Sequence, residues 1–239
     1  WGQEDLAYRL ANAGYKVVLS AVTNFYFDLA YEQDADEPGL YWGSFVDVDK
    51  PFGFIPLDYY KSAKEDVQGN PVDPKIFDNK ERLTEYGASN IVGIQGQIWS
   101  EKIRGAEQLE YMLLPKLLGL AERAWAKNPT WATEKDSTLA HQNYLKDWSW
   151  FSNLLGKREF TRLNHYAGGF NYRIPTVGTN IVEGKVHANV QFPGLLIKYT
   201  LDGSEPTLKS KTYTTPITQS GLIKFKGFVA TPLPELSRT

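Results

Sequence analysis

The chain has 239 residues, 42% hydrophobic and 23% charged, with a formal net charge of −2 and no cysteine. These are the proportions of an ordinary globular protein with room for one large domain or two smaller ones. They exclude disulfides, thiol catalysis and cysteine-based metal sites. They also leave no Lys/Arg stripe to serve as an electrostatic footprint for nucleic acid or an anionic membrane surface.

No apolar run approaches the ~20 residues of a transmembrane helix; YMLLPKLLGLA comes closest and is interrupted by Pro115 and Lys116. His141, His165 and His187 are widely separated and show no metal-ligand spacing, so neither a metal nor a cofactor is expected. Trp1 is not a translation start, and no signal peptide precedes it. The chain is therefore read as processed, cut or part of something longer.

In chain order, EDLAYRLANAG has helical spacing at Leu6, Ala7, Leu10 and Ala13, with Gly14 as the stop. GYKVVLSAV (14–22) follows as a Val-rich strand of the kind a parallel sheet buries on both faces. The stretch from Thr23 to Gly43 gathers six aromatic rings and five carboxylates around a Pro-Gly turn. A core would take the rings without the acids, whereas a sugar-binding surface takes both. Residues 50–80 read as a long polar connection, and NIVGIQGQIWSE (90–101) as a second buried strand. A helix over GAEQLEYMLLPKLLGLAERAWA should break or restart at Pro115.

Helix, strand, loop, strand, helix is the rhythm of a βα array. Two parallel strands cannot bury a core alone, so the count implies further strands of the same barrel, in the missing N-terminal part of the same protein. Residues 137–166 read as helical, with an apolar face of Leu139, Tyr144, Leu145, Trp148, Phe151 and Leu155. From about Tyr172 the pattern changes to period 2 in KVHANVQF, LLIKYTL, KTYTTPI and GLIKFKGFVA, separated by turn signals, as in a small antiparallel sandwich.

Tyr26 and Asp28 in YFD fall just past one expected strand, and Trp99 and Glu101 in WSE at the same end of the next. In a (β/α)8 barrel that end carries the active site. Strand alternation would place each aromatic on the face of its carboxylate. The apolar face of a pyranose stacks on a ring, while its hydroxyls hydrogen-bond carboxylates in the stronger, charge-assisted manner. Taken singly, Trp99 reads equally well as core, Glu101 as a helix-opening acid favoured by the macrodipole, and Tyr26 as a packed tyrosine. ERAW (122–125) reads as structural, an ion pair and a ring that dock the helix, and Trp131, Trp148 and Trp150 as packing residues.

Together YFDLAYEQDADEPGLYWG, GIQGQIWSE and MLLPKLLGLAERAW resemble the C-terminal part of the glycoside hydrolase family 20 catalytic domain, the β-N-acetylhexosaminidases, with bacterial chitobiases closest. The tail, with YRIP, IKYTLDGSEPT and GLIKFKGF, is similar to their small C-terminal immunoglobulin-like domain. The resemblance implies an α/β fold: residues 1–168 as the C-terminal portion of a (β/α)8 TIM barrel, and 169–239 as an all-β immunoglobulin-like sandwich.

It implies removal of terminal GlcNAc or GalNAc from chitooligosaccharides by retaining hydrolysis, in which the substrate's own acetamide oxygen attacks the anomeric carbon. By that resemblance Tyr26 hydrogen-bonds the acetamide oxygen, and Asp28 and Glu101 bind the 4- and 6-hydroxyls. Trp99 and Trp1 wall the pocket, and Trp42 stacks the next sugar. The family's adjacent Asp-Glu acid pair follows an earlier strand, and none of Glu4-Asp5, Asp36-Glu37 or Glu65-Asp66 does so. The catalytic acid is thus expected outside this chain. The partners expected are an oligosaccharide with a terminal N-acetylhexosamine and the missing N-terminal part. The compartment expected is periplasmic, outer-membrane-associated or secreted. A non-catalytic carbohydrate-binding fragment, or a related specificity such as disaccharide release, stays open.

Overall fold

The computed structural model describes residues 4–230, which divide into two compact units at Tyr144/Leu145. In the first unit, α1 (Leu6–Asn12) leads into β1 (Val17–Leu19) and a single turn of helix, α2 (Val22–Phe25). A long excursion carries α3 (Asp49–Phe52) and 3-10 turns at Pro56–Ser62 and Pro74–Phe77. Then come α4 (Glu85–Ala88) and β2 (Ile91–Ile94). The helices α5 (Ala106–Leu113), α6 (Lys116–Trp125), α7 (Thr130–Thr133) and α8 (Ser137–Leu154) follow. The break between α5 and α6 falls at Pro115, where the missing N–H and the ring exclude a continuous helix.

β1 and β2 are parallel, with Val17 opposite Ile91 and Leu19 opposite Ile94. Asn12 ties the helices that precede them. Its Oδ1 accepts from Thr84 N at 2.9 Å, its Nδ2 donates to Arg82 O at 3.0 Å, and Thr84 in turn caps α4 through Gly87 N. The core beneath the strands is Leu19, Phe25, Phe27, Leu29, Val46 and Phe54.

The expectation of strands buried on both faces is not met. Leu19 is buried, but Val18 and Val92 are about half exposed, because the described residues pack only one face of this two-stranded sheet. The expected stripe of α1 also shifts. Tyr8 and Ala11 are buried while Leu6 and Leu10 face outward.

The second unit contains the end of α8, a π-type turn (Leu155–Glu159) and α9 (Phe160–His165). An antiparallel pair, β3 (Gly178–Val182) and β4 (Lys185–Asn189), follows, then a three-stranded antiparallel sheet. That sheet has the order β6 (Lys211–Thr212), β5 (Leu195–Thr200), β7 (Lys224–Val229). Phe160 stacks on Tyr172 at 5.0 Å and meets Phe192 edge-on at 5.3 Å, so aromatic packing joins helix to strands here.

Two tryptophans read as packing residues are not. Trp125 is 90% exposed and Trp150 62%; each lies on the outward side of an amphipathic helix. What buries that part of α6 is Arg123, whose guanidinium lies 5.2 Å from the Trp131 ring and 5.7 Å from Phe52. None of the described helices is long and apolar enough to cross a membrane.

α6 crosses α3 at Gly119. A Cβ there would sit 2.6 Å from the Val48 carbonyl oxygen and 3.3 Å from Phe52 N, both backbone atoms that cannot swing aside. Gly119→Ala should therefore destabilise the protein by about 1–3 kcal/mol through overpacking, despite alanine's better helix propensity. A lowered urea midpoint with an unchanged slope is the expected reading, and an unchanged midpoint would show that the helices can separate without cost.

Candidate functional site

The site grows from the ends of β1 and β2. Beyond the regular strands the two chains stay paired: Gln97 N donates to Phe25 O at 2.8 Å, and Phe27 N donates to Gln97 O at 2.7 Å. This isolated parallel bridge sets Tyr26 opposite Gln97. The rings of Tyr26 and Trp99 consequently lie 6.4 Å apart, inclined at 60°. Trp42 comes from the far side of the loop and meets Tyr26 edge-on, at 5.8 Å and 80°. Trp42 and Trp99 are each about half exposed. The result is an open, three-ring wall with a phenol at its centre.

The route to this arrangement differs from strand alternation. α2 intervenes between β1 and Tyr26, and Leu29 N donates to Tyr26 O at 3.2 Å, closing a turn over Tyr26–Leu29. Tyr26 and Asp28 are therefore related by a turn and not by extended-chain geometry. On the other side, Trp99 is extended (φ −98°, ψ 142°), whereas Glu101 lies in a 3-10 turn, Ser100–Lys102. Alternation fails there as well, because the chain has already begun to coil.

Asp28 is 2% exposed, and neither of its buried carboxylate oxygens makes a well-aligned hydrogen bond among the described residues, although the backbone N–H groups of Asp28 and Trp99 lie close by. Burial pushes its pKa above the ordinary carboxylate range. The backbone N–H groups of Asp28 and Trp99 oppose that rise, Glu101 adds to it and Lys116 opposes it. An unsatisfied buried carboxylate carries a free-energy cost that a hydrogen-bond donor would relieve. Sugar hydroxyls are such donors, and the neighbouring rings offer stacking surfaces. Among the described residues no three His, Asp or Glu side chains are grouped to hold a metal ion. Trp1 lies outside the described residues.

The loop behind the site is ordered by its own returns. Leu40 N donates to Asp28 O and Ala30 N to Leu40 O, both at 2.9 Å, so the chain after Pro38-Gly39 runs back beside Asp28–Ala30. Gly39 makes this possible. Its φ is +135°, and a Cβ would stand 2.6 Å from Ala30 N. Of the loop acids, Glu37 is buried and accepts from Tyr111 Oη at 3.1 Å through both oxygens. Lys116 was not singled out from the sequence, yet it is fully buried under the site and donates to the carbonyls of Phe27 and Leu29. Its only sequence signal is a lysine set in an apolar run behind a proline.

A separate cavity of about 500 Å3 in the same unit is lined by Asn24, Asp49, Lys50, Glu65, His141 and Tyr144 among others, and by none of the ring-wall residues. Lys50 pairs with Glu65 at 2.9 Å.

Residues 1–128 match the family model for the glycosyl hydrolase family 20 catalytic domain, and residues 159–232 match the chitobiase/beta-hexosaminidase C-terminal domain. The first match covers more than half of the chain, and the chain belongs to glycosyl hydrolase family 20. The first unit is thus part of the family's TIM-barrel catalytic domain, followed by a mostly sheet C-terminal domain.

Among curated proteins, the chain is 35% identical over 213 residues to the N,N'-diacetylchitobiase of Vibrio harveyi, covering 85% of this chain and 23% of that protein. It is 33% identical over 221 residues to a beta-hexosaminidase of Vibrio vulnificus, covering 85% and 25%. The chain therefore spans about a quarter of the length of these relatives. Among solved structures, the N-acetyl-beta-hexosaminidase of Streptomyces plicatus in complex with Thio-NAglucal is 26% identical, covering 58% of this chain and 23% of that one, with a TM-score of 0.37. The exo beta-N-acetylglucosaminidase of Vibrio harveyi in complex with N-acetylglucosamine is 24% identical, covering 72% and 21%, with a TM-score of 0.40.

Asp49, beside the separate cavity, provides a stability probe that leaves the ring wall untouched. Burial first, then Asp47, raises its carboxyl pKa to about 6. The native state then holds a proton that the unfolded chain, near the usual 3.8, has released, so stability falls as pH rises through the window from about 4 to 6. Asp49→Asn should gain about 1–2 kcal/mol at pH 7.5, with the gain narrowing steadily from pH 6 to pH 4. Urea titrations across that range measure it; a gain that grows towards acid pH would reverse the assignment.

Proposed function

We propose that this chain contributes one wall of the sugar pocket of a retaining exo-β-N-acetylhexosaminidase acting on terminal GlcNAc or GalNAc of chitooligosaccharides. The observation that carries the reading is the buried Asp28 carboxylate, without a well-aligned hydrogen bond, set against exposed Trp42, Trp99 and the Tyr26 phenol. In this reading the substrate's acetamide oxygen attacks the anomeric carbon and the glycosidic bond breaks. The leaving oxygen takes a proton from an acid outside these 239 residues, and water then opens the oxazolinium-type intermediate from the face that the aglycone left.

Tyr26 donates a hydrogen bond to the acetamide oxygen and aligns it for in-line attack on the anomeric carbon, a contribution of positioning. Asp28 and Glu101 accept from the 4- and 6-hydroxyls. Trp99 walls the pocket, and Trp42 supports the neighbouring sugar. Trp1 is assigned to the same wall by resemblance alone. The setting that suits this substrate is the periplasm, the outer membrane or the cell exterior.

Two measurements test the proposal. The isolated 239-residue chain should show no turnover of p-nitrophenyl N-acetylglucosaminide; measurable turnover would place the proton donor within it. In the full-length enzyme, Tyr26→Phe should lower kcat by about 10²–10³-fold with KM altered far less. A variant turning over at the wild-type rate would remove Tyr26 from the mechanism.

A further inference from the structure

We propose that Lys116 is the positioning residue for the sugar-binding carboxylate, its buried ammonium clamping the backbone on both sides of Asp28. The proposal rests on the reading above that Asp28 accepts a substrate hydroxyl.

Lysine is almost never fully buried unless it is paired, yet Lys116 is 0% exposed. It stands at the first position of α6, directly after Pro115. A cation there opposes the helix macrodipole, which favours negative charge at an N-terminus. Helix stability therefore does not account for it.

Its contacts do. Nζ donates to Phe27 O at 2.9 Å and to Leu29 O at 2.6 Å, and lies 3.8 Å from the centre of the Tyr31 ring. The carbonyl between them, on Asp28 itself, accepts from Leu40 N at 2.9 Å. Three successive peptide groups are thus held, two by Lys116 and one by the returning loop. Since peptide units are planar, fixing them fixes the direction in which the Asp28 side chain leaves the backbone. That matters because the carboxylate makes no well-aligned hydrogen bond of its own to orient it. A misplacement of about 1 Å is enough to lose most of a directed interaction.

The test uses the full-length enzyme with p-nitrophenyl N-acetylglucosaminide and its 4-deoxy and 6-deoxy analogues. In the wild type, deleting the hydroxyl that Asp28 holds should lower kcat/KM by about 10- to 100-fold. Asp28→Ala should abolish the penalty for one analogue and so identify that hydroxyl. Lys116→Met should raise KM for the parent substrate and shrink the same penalty to about threefold or less, as coupled partners do in a double-mutant cycle. Lys116→Arg should restore part of it.

Arg123→Met, which removes another buried cation of α6, should lower Tm and leave the penalty intact. If Lys116→Met does not fold, Lys116→Gln, which keeps a donor but no charge, should still reduce the penalty at least threefold. A Lys116 variant that folds and keeps the full penalty overturns the inference, while the Asp28 reading stands. A wild type indifferent to both deoxy substrates, or an Asp28→Ala variant that keeps both penalties, overturns that reading and the clamp with it.

Discussion

Two backbone hydrogen bonds, Gln97 N to Phe25 O and Phe27 N to Gln97 O, are the constraint on which the site depends. β1 and β2 are only three and four residues long, too short to carry register far by themselves. The bridge extends their pairing past the regular sheet, over the point where β1 has given way to the turn α2. Without it, Tyr26 and Trp99 would sit on two independently moving loops. With it, a phenol and an indole are brought within 6.4 Å from positions more than seventy residues apart in sequence.

The loop that follows is stabilised by a second use of the same means. Leu40 returns to pair with Asp28 and Ala30, and Val46 N reaches Ala30 O at 3.0 Å. Once the chain is doubled back in this way, Trp42 is delivered to the Tyr26 ring. The acids within the loop divide by environment. Asp34 accepts from Asp36 N at 2.9 Å in an exposed turn, whereas Glu37 is buried against Tyr111, and the Tyr111 carbonyl accepts from Tyr31. A run that looks uniformly acidic in sequence thus contains one carboxylate that anchors the loop to α5.

Much of this was legible. The Val-rich runs located β1 and β2, Pro115 located the break between α5 and α6, and the period-2 segments located β4, β5 and β7. The concentration of rings and acids marked the loop that brings Tyr26 and Trp42 into ring contact and buries Asp28. What failed was the assumption that local periodicity extends to the strand ends. Alternation is a property of extended chain, and Tyr26–Leu29 and Ser100–Lys102 are turns.

β3 was missed because Gly178, Thr179 and Asn180 carry no strand signal; its existence depends on pairing with β4. Trp125 and Trp150 misled because a tryptophan is a strong but not obligatory core residue. Lys116 was invisible for a related reason. A lysine in a helix reads as solvated, and only the tertiary fold shows that its chain is buried and its head spent on carbonyls.

The site thus combines two features that each oppose stability, a cation at a helix N-terminus and a desolvated carboxylate. They lie on either side of the same short stretch of backbone, and each is less costly for the presence of the other. Lys116 offsets part of the desolvation of Asp28, while the carbonyls around Asp28 satisfy Lys116. Apolar replacement of such a pair commonly matches or improves stability, so stability alone does not explain its presence. The proposed sugar-binding role would explain it: a carboxylate without a well-aligned hydrogen bond in the folded chain stays desolvated and directed until a donor of the right geometry arrives. In that role, a hydroxyl that fits would gain a charge-assisted hydrogen bond and relieve the burial cost in one step, and a ligand without it would gain neither.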